Sequence, residues 1–197
     1  MSTIPELGEF VPKRGNPVSK VIARSLLRLF GWRLEGEIPN IPRCVVIGAP
    51  HTSNWDFPLA ILMIYALGLR ISWLGKHTFV NGPFKLVLHW LGGIPVDRRA
   101  PQGLVAQIVT EFGQREQFFL GISPEGTRSK VPQWKTGFYH IAKGANVPII
   151  SFTLDYGRKA IKFGNLLWTS GDIDADMVKL KAYFDGVIGK NPHNYGS

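Results

Sequence analysis

"CVVIGAPHTSNWDFPLAILMIYALGLRISWLG", residues 44–75, passes from a short apolar run through a polar loop into a longer apolar stretch and a second short run. Residues 44–49 are rich in β-branched side chains and lack polar alternation, the pattern of a strand covered on both faces in a parallel sheet. The stretch after the loop predicts a helix over about 54–68, and "RISWLG" predicts the next strand. A strand, a helix and a strand in that order make a parallel crossover unit. The uncharged run 57–69 holds 13 residues, too few to cross a bilayer, so it reads as a buried helix and no transmembrane span is expected.

Downstream the alternation continues. "GPFKLVLHWLG" reads as a helix, "IPV" as a short extended piece, and "PQGLVAQIVTEFGQR" as a helix with Leu104, Ile108 and Phe112 on one face. "QFFLGIS" is a strand, "TGFYHIAKGA" a helix, "VPIISFTL" a strand, "RKAIKFG" an edge strand, and "DADMVKLKAYFDGVIG" a closing helix. The expectation is a single α/β domain with a mostly parallel mixed sheet flanked by helices.

Upstream, "PVSKVIARSLLRLFGW" starts a helix at Pro17 and stops it at Gly31. Val18, Val21, Ile22, Leu26, Leu29 and Phe30 share one face, with Lys20, Arg24 and Arg28 roughly opposite and Leu27 on the polar side. Such a helix either lies in a membrane interface or packs its apolar face on its own domain. Residues 1–35 are therefore read as an arm and basic amphipathic helix, and 36–197 as the α/β domain after the proline-punctuated linker "EGEIPNIPR".

The chain has 197 residues and a formal net charge of +9, which favours an anionic contact: headgroups, a phosphorylated ligand or nucleic acid. No string of the kind that reads nucleic-acid bases is present, so nucleic acid is not expected as a partner. Cys44 is the only cysteine, which excludes an internal disulfide and agrees with a reducing compartment. The start "MSTIPELGEF" carries no secretory pattern. The remaining histidines, His77, His89, His140 and His193, show no ligand spacing, and no metal is expected.

Ligands of parallel α/β sheets bind beyond the carboxyl ends of the strands. "PHTSNWD" and "SPEGTRS" both fall there. His51 and Asp56 are five apart, so on one continuous helix they would diverge by about 140°. A loop that leaves the strand at Pro50 and His51, with Ser53 or Asn54 capping, lets the carboxylate of Asp56 meet one imidazole nitrogen. The other nitrogen then faces the cleft as a general base, its tautomer fixed by the carboxylate. The same "SNWD" is also a capping-box pattern, in which Asp56 serves only backbone amides; spacing does not decide between the two. In "SPEGTRSK", Gly126 lets the backbone turn and present amides to an anion, Thr127 and Ser129 add hydroxyls, and Arg128 adds a fork matched to phosphate oxygens. Glu125 reads as an internal partner of the loop or of an arginine. Arg98, ending "GGIPVDR", is a further cation. Read alone, the loop is equally a polar surface turn.

Together and in order, "HTSNWD", "GGIPVDR", "SPEGTRS" and "VPII" resemble the four sequence blocks of the glycerolipid, or lysophospholipid, acyltransferase family, and "KTG" resembles the usual continuation of the third. The likeness covers about residues 40–152. It implies transfer of a fatty acyl group from acyl-CoA or acyl carrier protein to a hydroxyl of a glycerol phosphate or lysophospholipid, of the 1-acylglycerol-3-phosphate kind, with no cofactor. By the resemblance His51 is the base and Asp56 orients it, while Glu125, Gly126, Thr127 and Arg128, helped by Arg98, form the phosphate site. It also implies a peripheral protein on the cytoplasmic face of an anionic membrane. Pro50, Ser123 and Ser151 stand where the family often has asparagine, an aromatic residue and proline. Two other readings stay open on the residues: a thioesterase using water as acceptor, and a non-enzymatic protein that binds anionic lipid.

Overall fold

The computed structural model describes residues 6–96 and 101–195. Seven strands form one sheet: β1 (Arg33–Glu35), β2 (Arg43–Ala49), β3 (Ser72–Lys76), β4 (Gly93–Val96), β5 (Phe118–Ile122), β6 (Ile149–Asp155) and β7 (Ala160–Leu167). Their order is β1-β7-β6-β2-β5-β3-β4. β6, β2, β5, β3 and β4 run parallel to their neighbours, and β7 is antiparallel to β6. The mixed, mostly parallel α/β sheet is thus the expected one. "RKAIKFG" does lie in a strand, but not at the edge: β1 pairs with β7 and forms that edge, from a segment too short and too polar to announce itself.

β2 is central, and its residues alternate between two cores. Cys44 and Val46 face one cluster with Leu59, Met63, Phe119 and Ile150. Val45, Ile47 and Ala49 face the other, with Ile108, Phe112, Phe138 and Leu180. That period of two with both faces apolar is why the strand reads as an unbroken hydrophobic run.

The first cluster is covered by α1 (Pro17–Leu29) and α2 (Asp56–Leu67), the second by α5 (Pro101–Gln114), α6 (Gly137–Ala145) and α7 (Ile173–Ala182). "GPFKLVLHWLG" holds the single helix expected of it, six residues long. A turn of helix α3 (His77–Val80) precedes α4 (Lys85–Trp90), and Asn81 joins them by hydrogen bonds to His77 and His89.

α1 begins as its sequence predicts: Asn16 and Ser19 exchange amide-to-side-chain hydrogen bonds in a capping box, and Pro17 takes the first turn. Its packing reverses one alternative. Ala23 and Leu27 are the buried residues, and the Arg24 guanidinium donates to the Ala66 carbonyl of α2. Val18, Val21, Ile22, Leu29 and Phe30 are all more than half exposed. The helix therefore rests on the domain through its sparse small-and-basic side and turns its apolar stripe outward. No described helix is long and apolar enough to cross a membrane.

Candidate active site

The register of the sheet assembles the site. Ile47 of β2 pairs with Ile122 of β5, so Pro50 and His51 leave the sheet beside Pro124 and Glu125. Both loops emerge at the carboxyl ends, as parallel topology requires. The Glu125 carboxylate accepts the His51 backbone N–H at 2.8 Å and ties them together.

α2 starts at Asp56 rather than at 54, and residues 52–55 stay in the loop. That leaves slack for the carboxylate to fold back. Asp56 Oδ2 lies 3.1 Å from His51 Nδ1 and accepts the amides of Thr52 and Ser53 at 2.9 and 3.0 Å. One oxygen atom thus serves both backbone amides of the loop and the imidazole. The expected cap by Ser53 or Asn54 is not formed: Trp55 stands at the N-cap of α2 without a side-chain hydrogen bond, the Ser53 hydroxyl accepts the Trp55 amide, and the Asn54 side chain turns to Arg128. The second oxygen, Oδ1, accepts the Tyr156 hydroxyl at 2.8 Å. Asp56 is 4% exposed and His51 30%. Two amides, the imidazole and the Tyr156 hydroxyl thus meet this buried carboxylate. With Nδ1 committed to Asp56, imidazole Nε2 has no partner among the described residues and is the nitrogen left for chemistry.

Arg128 closes the gap between the two motifs. Its guanidinium donates to the side-chain oxygen of Asn54, inside the His51–Asp56 loop. A cation 72 residues after Asp56 in the chain is thereby held on the loop that carries the imidazole. Gly126 has φ 65°, the left-handed conformation that glycine adopts without strain, and a Cβ there would press on the Lys135 side chain at 3.1–3.2 Å. Lys135 thus brings another ammonium to the loop. Thr127 is exposed and its hydroxyl accepts the Ser129 amide at 3.4 Å.

Glu125 differs from its neighbours. It is buried, turned inward to His51 rather than outward to solvent. Burial pushes its pKa up from about 4.5 to about 7, against the His51 amide and imidazole, which pull it down; the Asp56 charge adds a small upward push. Arg98 lies outside the described residues.

Three partners of the site have no signature in the sequence. Tyr156 is 100 residues beyond Asp56, sits in the turn after β6, and is braced by the edge of Trp32 at 5.0 Å between centroids. Burial and the Asp56 carboxylate both raise the pKa of its hydroxyl, keeping it a donor. Asn191 clamps the loop from the far end of the chain: its amide donates to the Thr52 hydroxyl at 3.1 Å and its side chain to the Thr52 carbonyl at 2.9 Å. Asn54 is the third, as the seat of Arg128. Lys135 was within reach of sequence reading, because it opens the "KTG" string. Among the described residues no cluster of His, Cys, Asp and Glu could hold a metal ion.

Comparison with known proteins adds independent observations. The family model described as "Acyltransferase" matches residues 33–155. The 1-acyl-sn-glycerol-3-phosphate acyltransferase of Haemophilus influenzae is 27% identical over 164 residues, covering 78% of this chain and 65% of that one. The Escherichia coli protein of the same name is 31% identical over 151 residues, covering 72% and 60%. The chain thus spans 60 to 65% of the length of these curated relatives. The crystal structure of the 1-acyl-sn-glycerophosphate acyltransferase PlsC from Thermotoga maritima superposes with a TM-score of 0.57 at 17% identity, covering 84% of this chain and 76% of that one, a likeness of fold.

Proposed function

The chain belongs to the acyltransferase family, and from that premise we propose that it moves a fatty acyl group from a thioester, acyl-CoA or acyl carrier protein, to a hydroxyl of a 1-acylglycerol-3-phosphate-like acceptor. The observation that carries this reading is the shared loop: an imidazole beside a buried carboxylate, with the Arg128 guanidinium seated on the residues between them.

In this mechanism His51 Nε2 removes the proton from the acceptor hydroxyl as its oxygen attacks the thioester carbonyl. Asp56 holds the Nδ1–H tautomer and stabilises the imidazolium that forms. The tetrahedral intermediate collapses, the carbon–sulfur bond breaks, and the imidazolium passes its Nε2 proton to the departing sulfur, which leaves as a thiol and returns His51 to the free base. No covalent acyl-enzyme is needed, and no nucleophile elbow is present in the sequence. The Thr52 and Ser53 amides already serve Asp56, so they are not donors to the oxyanion.

Arg128, with the Gly126 and Thr127 backbone and Arg98, is assigned to the acceptor phosphate. Within that phosphate loop Glu125 has a holding role, because its carboxylate anchors the His51 backbone. Tyr156 positions Asp56 from behind. The protein works on the cytoplasmic face of an anionic membrane, with the outward apolar stripe of α1 in the interface. Residues 1–35 then serve docking and 36–197 chemistry, a functional division, since β1 already belongs to the sheet.

The test is a panel of acceptors with one labelled acyl-CoA, read by product mass. The expected outcome is acylated product that depends on a phosphate-bearing acceptor. Release of free fatty acid regardless of acceptor would identify a thioesterase instead.

A further inference from the structure

A second basic site lies at the opposite end of the sheet from His51. A cleft of about 670 Å³ opens at the amino ends of β3 and β4. The catalytic crevice is roughly 18 Å away, the length of the 12-residue helix α2 at about 1.5 Å per residue. The basic residues lining the cleft are Lys13, Arg14, Arg70 and Arg115, joined by His89, and among the described residues no carboxylate lines it.

Two of these cations are fixed in place. Arg14 donates to the Trp90 carbonyl at 2.5 Å, and its guanidinium carbon lies 5.3 Å and 5.1 Å from the ring centroids of Tyr65 and Trp90. Arg115 is held by Glu111, the nearest acidic partner, and by the Phe118 ring. Lys13 and Arg70 have no ion pair among the described residues. Like charges gathered around one concavity repel each other and raise the local concentration of anions. Trp90, which lines the cleft, is 64% exposed, and Val87 and Leu86 precede it on α4 at 53% and 80%. The exposed stripe of α1 starts at Val18, four residues after Arg14.

We propose that this cleft receives the phosphate of an anionic phospholipid headgroup. Its acyl chains stay with the apolar side chains of α4 and α1 while the phosphate reaches Lys13, Arg14 and Arg70. The exposed tryptophan at the rim suits the boundary between headgroup and hydrocarbon. This assignment rests on the docking role given to α1 above; it adds a headgroup preference and a second point of attachment, separate from the acceptor site.

The experiment is vesicle flotation of the full chain at about 0.15 M salt, with neutral phosphatidylcholine vesicles and with vesicles containing phosphatidylglycerol. The wild type is expected to bind the anionic vesicles more tightly. In the double variant Lys13→Glu, Arg70→Glu that preference falls by about ten-fold or more, each basic residue at a membrane surface contributing several-fold. Turnover of a short-chain, monomeric acceptor stays at the wild-type rate. A control, Lys143→Glu with Lys179→Glu on the opposite helix layer, makes the same change in net charge and is expected to keep the preference. Equal loss in the control and the cleft variant, or no loss in the cleft variant while the wild type floats, overturns the site. If the wild type floats with neither vesicle, the docking role of α1 fails and the site with it. Selective loss in the cleft variant supports both.

Discussion

Asp56 shows how one residue can make two sets of contacts that look mutually exclusive in sequence. Backbone amides and an imidazole compete for a carboxylate only if each needs a whole one. Here Oδ2 takes two amides and the imidazole, and Oδ1 takes Tyr156. Replacing Tyr156 with Phe removes a donor to a buried charge, a bond of a kind that contributes about 1.5–3 kcal/mol. The carboxylate then draws the imidazole proton more strongly. The expected result is a kcat lower by about three- to thirty-fold and a low-pH limb of activity displaced to higher pH. A uniform loss with an unmoved profile would deny Tyr156 its positioning role. Glu125 gives a stability prediction. Its pKa is raised from about 4.5 to about 7, chiefly by burial, so across that window the native state holds a proton that the unfolded state has lost. Stability from this group is full below pH 4.5 and declines as pH rises towards 7. Glu125→Gln keeps an acceptor for the His51 amide without the charge. Its melting temperature is expected to gain on the wild type between pH 5 and pH 8; parallel curves would contradict the shift.

At the scale of elements, the strands and helices that build the sheet were legible because their signals are local. β2 announced itself by an unbroken apolar run, and α1 by its cap, its proline and its glycine. β1 was not legible: three residues, Arg-Leu-Glu, have no period to read, and only pairing with β7 makes them a strand. The face by which α1 packs was not legible either. The apolar stripe was plain, but the helix buries Ala23 and Leu27 and seats Arg24 on α2, and most of the stripe is left outward. The hold of residues 189–194 on the active-site loop is equally non-local. A Cβ at Gly189 would fall 2.7 Å from the Thr52 hydroxyl, so the two segments touch closely. Asn191→Ala removes the side-chain bond to the Thr52 carbonyl, about 1 kcal/mol for a neutral pair. A fall in melting temperature of about 2–4 °C and a several-fold fall in kcat are expected, with thermal unfolding and initial rates as the readouts. An unchanged kcat would mean that this clamp does not govern the His51 loop.

Across the whole molecule, the helix layers differ in kind. α5, α6 and α7 close a core and carry a buried polar junction, in which Asp176 accepts from Tyr139 and Ser170. α1 and α2 close the other core, and on that side α1 and α4 turn large apolar side chains outward. That asymmetry, on a chain of net charge +9, is what a protein working on an anionic surface needs. The two motifs were readable, and parallel topology already put both at the carboxyl ends of strands; the contacts that join them, His51 to Glu125 and Arg128 to Asn54, were not, because they depend on register and on distant loops. The central claim is that base and phosphate ligand share one crevice. Its most direct measurement is kcat and KM of wild type, His51→Ala and Arg128→Ala with paired acceptors that do and do not carry a phosphate. His51→Ala is expected to lower kcat by about 10²–10⁴-fold for both acceptors, and Arg128→Ala to raise KM for the phosphate-bearing acceptor alone. Wild-type turnover by His51→Ala, or equal effects of Arg128→Ala on both acceptors, would contradict it.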